Sequence, residues 1–287
     1  VRSRGLGDVY KRQMLGTWRE GLAALRMYGV TLVQADGRQT SYPVQVVDRT
    51  DPCIGSRYAL VLVKSWQTGR AAHQMADCLA ADGVALTLQN GLGNYETLAE
   101  VLGPERVALG TTTTGATLLS SGRVRPGGEG IISVGASEKL TPILNMMEQA
   151  GFTLEILEDV QALIWGKLVV NAAINPLTAV LKMSNGGILS RPSARQLAAN
   201  LAREVMAVAQ AQDITLPYAN PVEIAESVAQ RTAQNHSSMY QDIQRGAPTE
   251  IDAICGAVVR KGQELGVPTP VNYSMWKLIH AFVEENP

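Results

Sequence analysis

YALVLVKS (58–65) and VALTL (84–88) decide the fold. Each is a short continuous apolar run, the pattern of a strand covered on both faces. Between them, helical spacing runs through Ala80 and closes at Gly83, and QNGLGN (89–94) leads from the second run into another helix pattern. RVALG (106–110) is a third strand-like run and ends at four threonines. Upstream, Trp18, Leu22 and Leu25 recur at helical spacing across 17–28, with Gly29 where a C-cap would sit. VTLVQ (30–34) and SYPVQVV (41–47) flank Ala35-Asp36-Gly37, a hairpin signal. Downstream, GRVRP and GIISVG read as antiparallel strands, 139–150 as a helix and FTLEIL as a last strand. Strand and helix in alternation predict an α/β domain built on a Rossmann-type, doubly wound sheet with antiparallel additions.

After about Asp159 strand patterns vanish. Helical periodicity covers 160–183, 193–212, 221–234, 249–265 and 273–285, punctuated by glycine and proline. The division expected is an α/β domain over 14–157 and an all-helical domain over 158–287, with a short linker near 155–159. A dinucleotide-binding sheet normally opens on a strand followed by GxGxxG, because those glycines bring a pyrophosphate to a helix N-terminus. Gly5-Leu6-Gly7 leads to Tyr10 instead of a third glycine, and Gly91-Leu92-Gly93 leads to Glu96. The sheet is therefore expected to be incomplete, lacking its first strand and phosphate loop, with 1–13 a foreign or artefactual segment. Unpaired sheet edges and poor solubility would follow.

Composition narrows the function. Lys plus Arg is 25 and Asp plus Glu 26, a net charge of −1, which offers no electrostatic footprint for nucleic acid or an anionic membrane. Hydrophobic residues at 46% exclude a disordered chain. Cys53, Cys78 and Cys255, like His73, His236 and His280, are too scattered for a disulfide framework or a metal site, and suit a reducing cytoplasm. The apolar stretch 168–181 contains Asn171, Asn175 and Pro176 and reads as too short to span a membrane. The start of the chain has no apolar run of the secretory kind.

Candidate chemistry concentrates in LIWGKLVVNAAINPLTAVLKMSNGGIL (163–189). Lys167, Asn171 and Asn175 are four apart and share one stripe of a helix whose other positions are apolar. Such a stripe is either a solvated face or the lining of a ligand site. A lysine among apolar neighbours has its pKa lowered and can donate a proton to an oxygen. Pro176 is expected to bend the helix and aim Asn175 at a cleft. In NHSSMYQDIQRGAPTEID (235–252), Thr249 reads as an N-cap with Glu250 in the first helical turn, so Glu250 either stabilises that helix start or serves a site. Lys64 and Asn90 fall just past the carboxyl ends of two strands, where open α/β sheets bind ligands.

Taken together, LVLVKSWQT, LTLQNGLGN, GTTTTGA, WGKLVVNAAINP and NHSSMYQDI…TEIDAICG resemble the ketopantoate reductase (2-dehydropantoate 2-reductase) family from about Thr17 to Ala281. The resemblance implies a C-terminal domain like that of 6-phosphogluconate dehydrogenase. It implies an oxidoreductase using NADPH to reduce 2-dehydropantoate to pantoate in pantothenate and coenzyme A synthesis. Lys167 then corresponds to the catalytic lysine and Glu250 to the acidic residue near substrate and nicotinamide ribose. Asn90, Asn171, Asn175, Asn185, Asn235 and Ser238 fall on substrate-holding positions. Lys64, Asn90, Ala116 and Glu250 fall on cofactor positions, with Arg19 near the 2′-phosphate. The expected partner is a small 2-keto acid, with no metal, nucleic acid or membrane, and monomer and homodimer both open. Two other readings stand beside it: a reductase of a related 2-keto acid, and a non-catalytic binding module or inactive fragment.

Overall fold

The computed structural model describes residues 12–284. The expected foreign segment lies outside them except for its last two residues, as does Gly5-Leu6-Gly7. The chain forms two compact units, one gathering residues up to 61, 70–88 and 98–158, the other 62–69, 89–97 and 159 onward.

The first unit carries the strands. β1 (Gln13–Leu15) pairs in parallel with β4 (Gln45–Val47), and α1 (Arg19–Tyr28) connects β1 onward. Gly29 ends α1 at φ 68° with its N–H on the Leu25 carbonyl, and a Cβ there would fall 2.2 Å from the Tyr42 carbonyl oxygen. β2 (Val30–Val33) and β3 (Gln39–Tyr42) make the expected hairpin, with Gly37 at φ 84° in its turn. Residues 41–47 are not one strand, however. Pro43 cannot donate to a ladder, so pairing stops at Tyr42 and resumes at Gln45 in a different sheet.

β5 (Ser56–Val61), α2 (Thr68–Cys78), β6 (Leu79–Thr87), α3 (Asn94–Leu102) and β7 (Val107–Thr112) follow in α/β alternation, with β5, β6 and β7 parallel. Gly83 does not close the helix. It lies inside β6, where a Cβ would meet the Ser56 carbonyl oxygen at 2.9 Å. β8 (Ala116–Ser120) and β9 (Arg123–Pro126) join β2 and β3 in a four-stranded sheet of order β3-β2-β9-β8. β10 (Ile131–Gly135) pairs antiparallel with β7 and parallel with β11 (Thr153–Leu157), and α4 (Thr141–Gln149) connects those two. GRVRP and GIISVG thus belong to different sheets.

The five-stranded order is β11-β10-β7-β6-β5. Val84, Leu86, Val134, Leu140 and Leu144 form the core over it. β5 is the edge strand and is not covered on both faces: Leu60 is 41% exposed, and Leu62 just beyond it 62%.

The second unit is helical around α5 (Gln161–Leu181). α6 (Pro192–Gln210), α7 (Pro221–Arg231) and α8 (Ser238–Gln244) pack against it. A π-helical turn (Asp252–Gly256), α9 (Ala257–Leu265) and α10 (Pro270–Glu284) complete the unit. Ala198, Leu201, Ala202, Val205 and Val208 of α6 repeat at helical spacing and meet Leu168, Val169, Ala172 and Leu177 of α5 in one core. α5 is longer than the stretch 168–181, and it is long and apolar enough to cross a membrane, but it is the buried centre of this unit. It continues unbroken through Pro176. The Thr178 hydroxyl donates to the Ile174 and Asn175 carbonyls in the same turn.

Candidate active site

Two short loops from the sheet strands belong to the helical unit, 62–69 after β5 and 89–97 after β6. They are tied together. Gln89 Nε2 donates to the Val63 carbonyl and to Thr68 Oγ1, both at 2.8 Å; Thr68 Oγ1 donates to Asn94 Oδ1 at 2.8 Å; Asn94 Nδ2 donates to the Asn90 carbonyl at 3.0 Å. Gly91, at φ 82°, lies so close to the π turn that a Cβ would sit 2.5 Å from the Ala253 carbonyl oxygen, which accepts the Leu92 N–H at 2.9 Å. Gly91 therefore serves close packing rather than a phosphate.

This frame fixes Lys64. Its Nζ donates to Asp242 Oδ2 at 2.7 Å and lies 3.5 Å from Glu250 Oε2. Glu250 Oε1 accepts the Ser65 N–H at 3.0 Å. The Lys64 side chain is 34% exposed, Asp242 only 3% and Glu250 6%. Asp242 also receives Arg245 Nη2 at 2.8 Å. Two buried carboxylates are thus each met by cations or N–H donors, as burial of charge requires.

Thr249 Oγ1 accepts the Ile251 N–H at 3.5 Å, as a cap would, but the expectation that Glu250 sits in a first helical turn needs correcting. The helical residues begin at Asp252, in a π turn, and the Glu250 carbonyl accepts the Ala253 and Ile254 N–H groups at 3.1 Å. Its carboxylate points to Lys64 and Ser65 instead of the helix axis.

Lys167 lies on α5, one residue past Gly166, whose carbonyl accepts the Tyr218 hydroxyl at 2.8 Å. A Cβ at Gly166 would come within 3.2 Å of the Pro217 ring, so glycine lets that loop close over the helix beside the lysine. Burial lowers the Lys167 ammonium to about 8, partly opposed by the charge of Glu250. Lys167 is thus within the electrostatic reach of Glu250, which also meets Lys64.

The asparagines fall into two groups. Asn171 and Asn175 continue the Lys167 stripe, and neither amide side chain makes a hydrogen bond among the described residues; the same holds for Asn90. Asn175 is 8% exposed, yet its amide is not among the buried atoms left without a partner, so the group stays open to solvent or a ligand. Asn185, in the short 3-10 turn after α5, is already engaged: Nδ2 donates to Thr232 Oγ1 at 2.8 Å, and its N–H to the Asn235 carbonyl at 2.9 Å. Its Oδ1 is buried without a partner. Asn235 and Ser238 are exposed at the start of α8. Arg19, the first residue of α1, and Ala116, the first of β8, are exposed in the first unit and belong to no part of this cluster.

Sequence reading missed Asp242 and Ser237. Asp242 stands one helical turn after Ser238, a spacing that could have placed it on the same face. Ser237 caps α8 by accepting the Tyr240 N–H, and its hydroxyl is hydrogen-bonded to the Thr178 hydroxyl at 2.7 Å, which ties α8 to α5.

An α/β unit followed by a helical unit, with a desolvated lysine in the field of a buried carboxylate, suits the class of two-unit keto-acid reductases. Residues 9–139 match the family described as ketopantoate reductase PanE/ApbA, and residues 159–284 its C-terminal counterpart. The chain is 38% identical to a 2-dehydropantoate 2-reductase from Archaeoglobus fulgidus over 76% of this chain and 74% of that one. A crystal structure of a PanE/ApbA family ketopantoate reductase from Ralstonia eutropha JMP134 superposes with a TM-score of 0.85 at 27% identity, covering 93% and 88%. D-mandelate dehydrogenase with NADH and anilino(oxo)acetate shares the fold, with a TM-score of 0.86 at 23% identity over 95% and 91%. The chain belongs to the ketopantoate reductase family.

Proposed function

We propose that this protein reduces 2-dehydropantoate to pantoate with NADPH, in the reducing cytoplasm that its three free, buried cysteines suit. The observation that supports the reading is the stripe on α5, where a lysine lowered to about 8 stands in line with two amides that make no side-chain hydrogen bond among the described residues. When bound, NADPH supplies a hydride to the C2 carbonyl carbon. Negative charge then builds on the carbonyl oxygen, and Lys167 Nζ donates a proton there. With a pKa near the working pH, Lys167 is mostly charged at pH 7 yet gives up its proton more readily than an exposed lysine.

Asn171 and Asn175, with Asn90, Asn235 and Ser238, hold the carboxylate and hydroxyl of the substrate without adding charge that would compete with Lys167. Asn185 supports the Asn235 segment through its backbone pairing. Glu250 keeps Lys167 protonated, and Lys64 with Asp242 keeps Glu250 from collapsing onto that lysine.

The residues present fit part of the cofactor. Glu250 is suited to the nicotinamide ribose, Lys64, Asn90 and Ala116 to other contacts with the cofactor, and Arg19 to a 2′-phosphate. Among the described residues no strand leads through GxGxxG into a helix. Two measurements test the reading: NADPH titration by fluorescence, and loss of NADPH absorbance with 2-dehydropantoate against other branched 2-keto acids. Binding with turnover highest on 2-dehydropantoate is expected. Equal or higher turnover on another 2-keto acid would favour a related reductase, and absence of NADPH binding a non-catalytic protein.

A further inference from the structure

We infer that Asp252, held from α10 by Trp276 and His280, is a positioning residue that sets where the Glu250 carboxylate stands. This inference rests on the reading of Glu250 as a site residue.

Asp252 is two residues beyond Glu250 and opens the π turn. Its Oδ1 accepts the Trp276 Nε1–H at 2.8 Å and lies 3.0 Å from His280 Nε2. Its backbone carbonyl accepts Arg260 Nη2–H at 2.8 Å from α9. Bonds from two helices therefore converge on one residue. The indole lies flat enough on this turn that a Cβ at Gly256 would come within 3.0 Å of its Cε2 and Nε1. The ring is pinned by cations, with Lys277 Nζ 4.1 Å and the Arg260 guanidinium 5.7 Å from its centroid. Burial pulls the Asp252 carboxyl upward, but the bonds from Trp276 and His280 and the charge of Arg260 outweigh it and hold the group below its usual range.

The consequence falls on Glu250. A π turn is a rare, single-turn arrangement that persists only where its surroundings hold it. Here the Glu250 carbonyl is clamped by the Ala253 and Ile254 N–H groups, and Ala253 is clamped in turn by Leu92. If the turn relaxed toward regular helix, Glu250 would rotate about the axis, and its carboxylate would leave the Ser65 N–H and Lys64. Ile251 shares the core with Met275 and Ile279 of α10, and among the described residues Asp252 is the side chain of the Glu250–Asp252 segment whose hydrogen bonds reach α10.

The test compares E250Q, D252A, D252N and W276F in the full chain. Two quantities are read: KM and kcat for 2-dehydropantoate, and the midpoint of Lys167 titration from the Cε shift of 13C-lysine protein. E250Q should lower the Lys167 midpoint, because the carboxylate favours the ammonium. D252A should lower it in the same direction and raise KM about tenfold with kcat changed less. D252N still accepts from Trp276 and should restore both quantities. W276F, which keeps the ring and loses the donor, should fall between parent and D252A even if D252A fails to fold. A D252A or W276F protein that only melts earlier, with KM and the Lys167 midpoint at parent values, overturns the inference. If E250Q itself moves neither quantity, the reading of Glu250 has failed instead.

Discussion

α5 and α6 are the two long helices of the helical unit, 21 and 19 residues, packed on each other through one apolar seam. Their polar side chains are treated in opposite ways. On α6 they hold the fold together. Arg195 clamps both Glu226 oxygens at 2.6 Å, and Gln196 and Arg203 both donate to Asn200. The Glu204 carboxylate caps α10 by accepting the Val271 and Asn272 N–H groups at 2.9 and 2.8 Å and the Asn272 amide at 2.8 Å. On α5 the amides of Asn171 and Asn175 make no side-chain hydrogen bond among the described residues, and neither is among the buried atoms left without a partner. In the proposed function the α5 stripe, whose amides stay open, is the one that meets a ligand.

Substitutions should separate the two helices. The largest effect is expected for K167A: turnover falls about 10²–10⁴-fold, the usual contribution of a positioned acid, while NADPH affinity measured by fluorescence titration stays near parent. Unaltered turnover would remove Lys167 from the chemistry. On α6, E204A should lower unfolding free energy by about 2–3 kcal/mol, seen as an earlier thermal transition, with turnover per folded molecule retained. Loss of turnover without loss of stability would erase the contrast.

K167M should have the opposite sign. Burial lowers Lys167 from 10.5 to about 8, so between those pH values the unfolded chain binds more protons than the folded one. The penalty is fully present below pH 8 and fades as pH rises to 10.5. K167M should therefore be more stable than parent at pH 7, by about 2–3 kcal/mol, with the gap closing in alkaline denaturant titrations. The smallest effect is expected for N171A and N175A: KM for 2-dehydropantoate rises about tenfold with the melting temperature near parent. A fall in melting temperature with KM unchanged would make these amides structural, like those of α6.

The contrast was partly legible beforehand. Lys167, Asn171 and Asn175 announce themselves because three polar residues four apart interrupt a run that is otherwise apolar, and helical geometry alone places them in line. Lys64 and Asn90 are candidates by the rule that the carboxyl ends of strands in open α/β sheets carry ligands. Asp242 was not, because a single aspartate in a short amphipathic helix carries no periodic signal; its importance arises from Lys64, 178 residues away in the chain. Glu250 was assigned the wrong local role for a related reason. Thr249 has the composition of a cap, and no local pattern announces that a π turn delays the helix and that Ser65 supplies the N–H donor. In the α/β unit the strand and helix alternation was readable. The partition of strands among three sheets was not, because pairing partners are set by contacts remote in sequence. β5 looked covered on both faces because its apolar run continues into Leu62, yet the sheet order leaves it at an edge.

The account stands most directly on the pH dependence of kcat/KM for 2-dehydropantoate in parent and K167M proteins. If Lys167 Nζ donates the proton, parent activity falls as pH rises through about 8, and the residual activity of K167M is flat across that range. A parent profile with no descending limb near pH 8, or the same limb persisting in K167M, would contradict it.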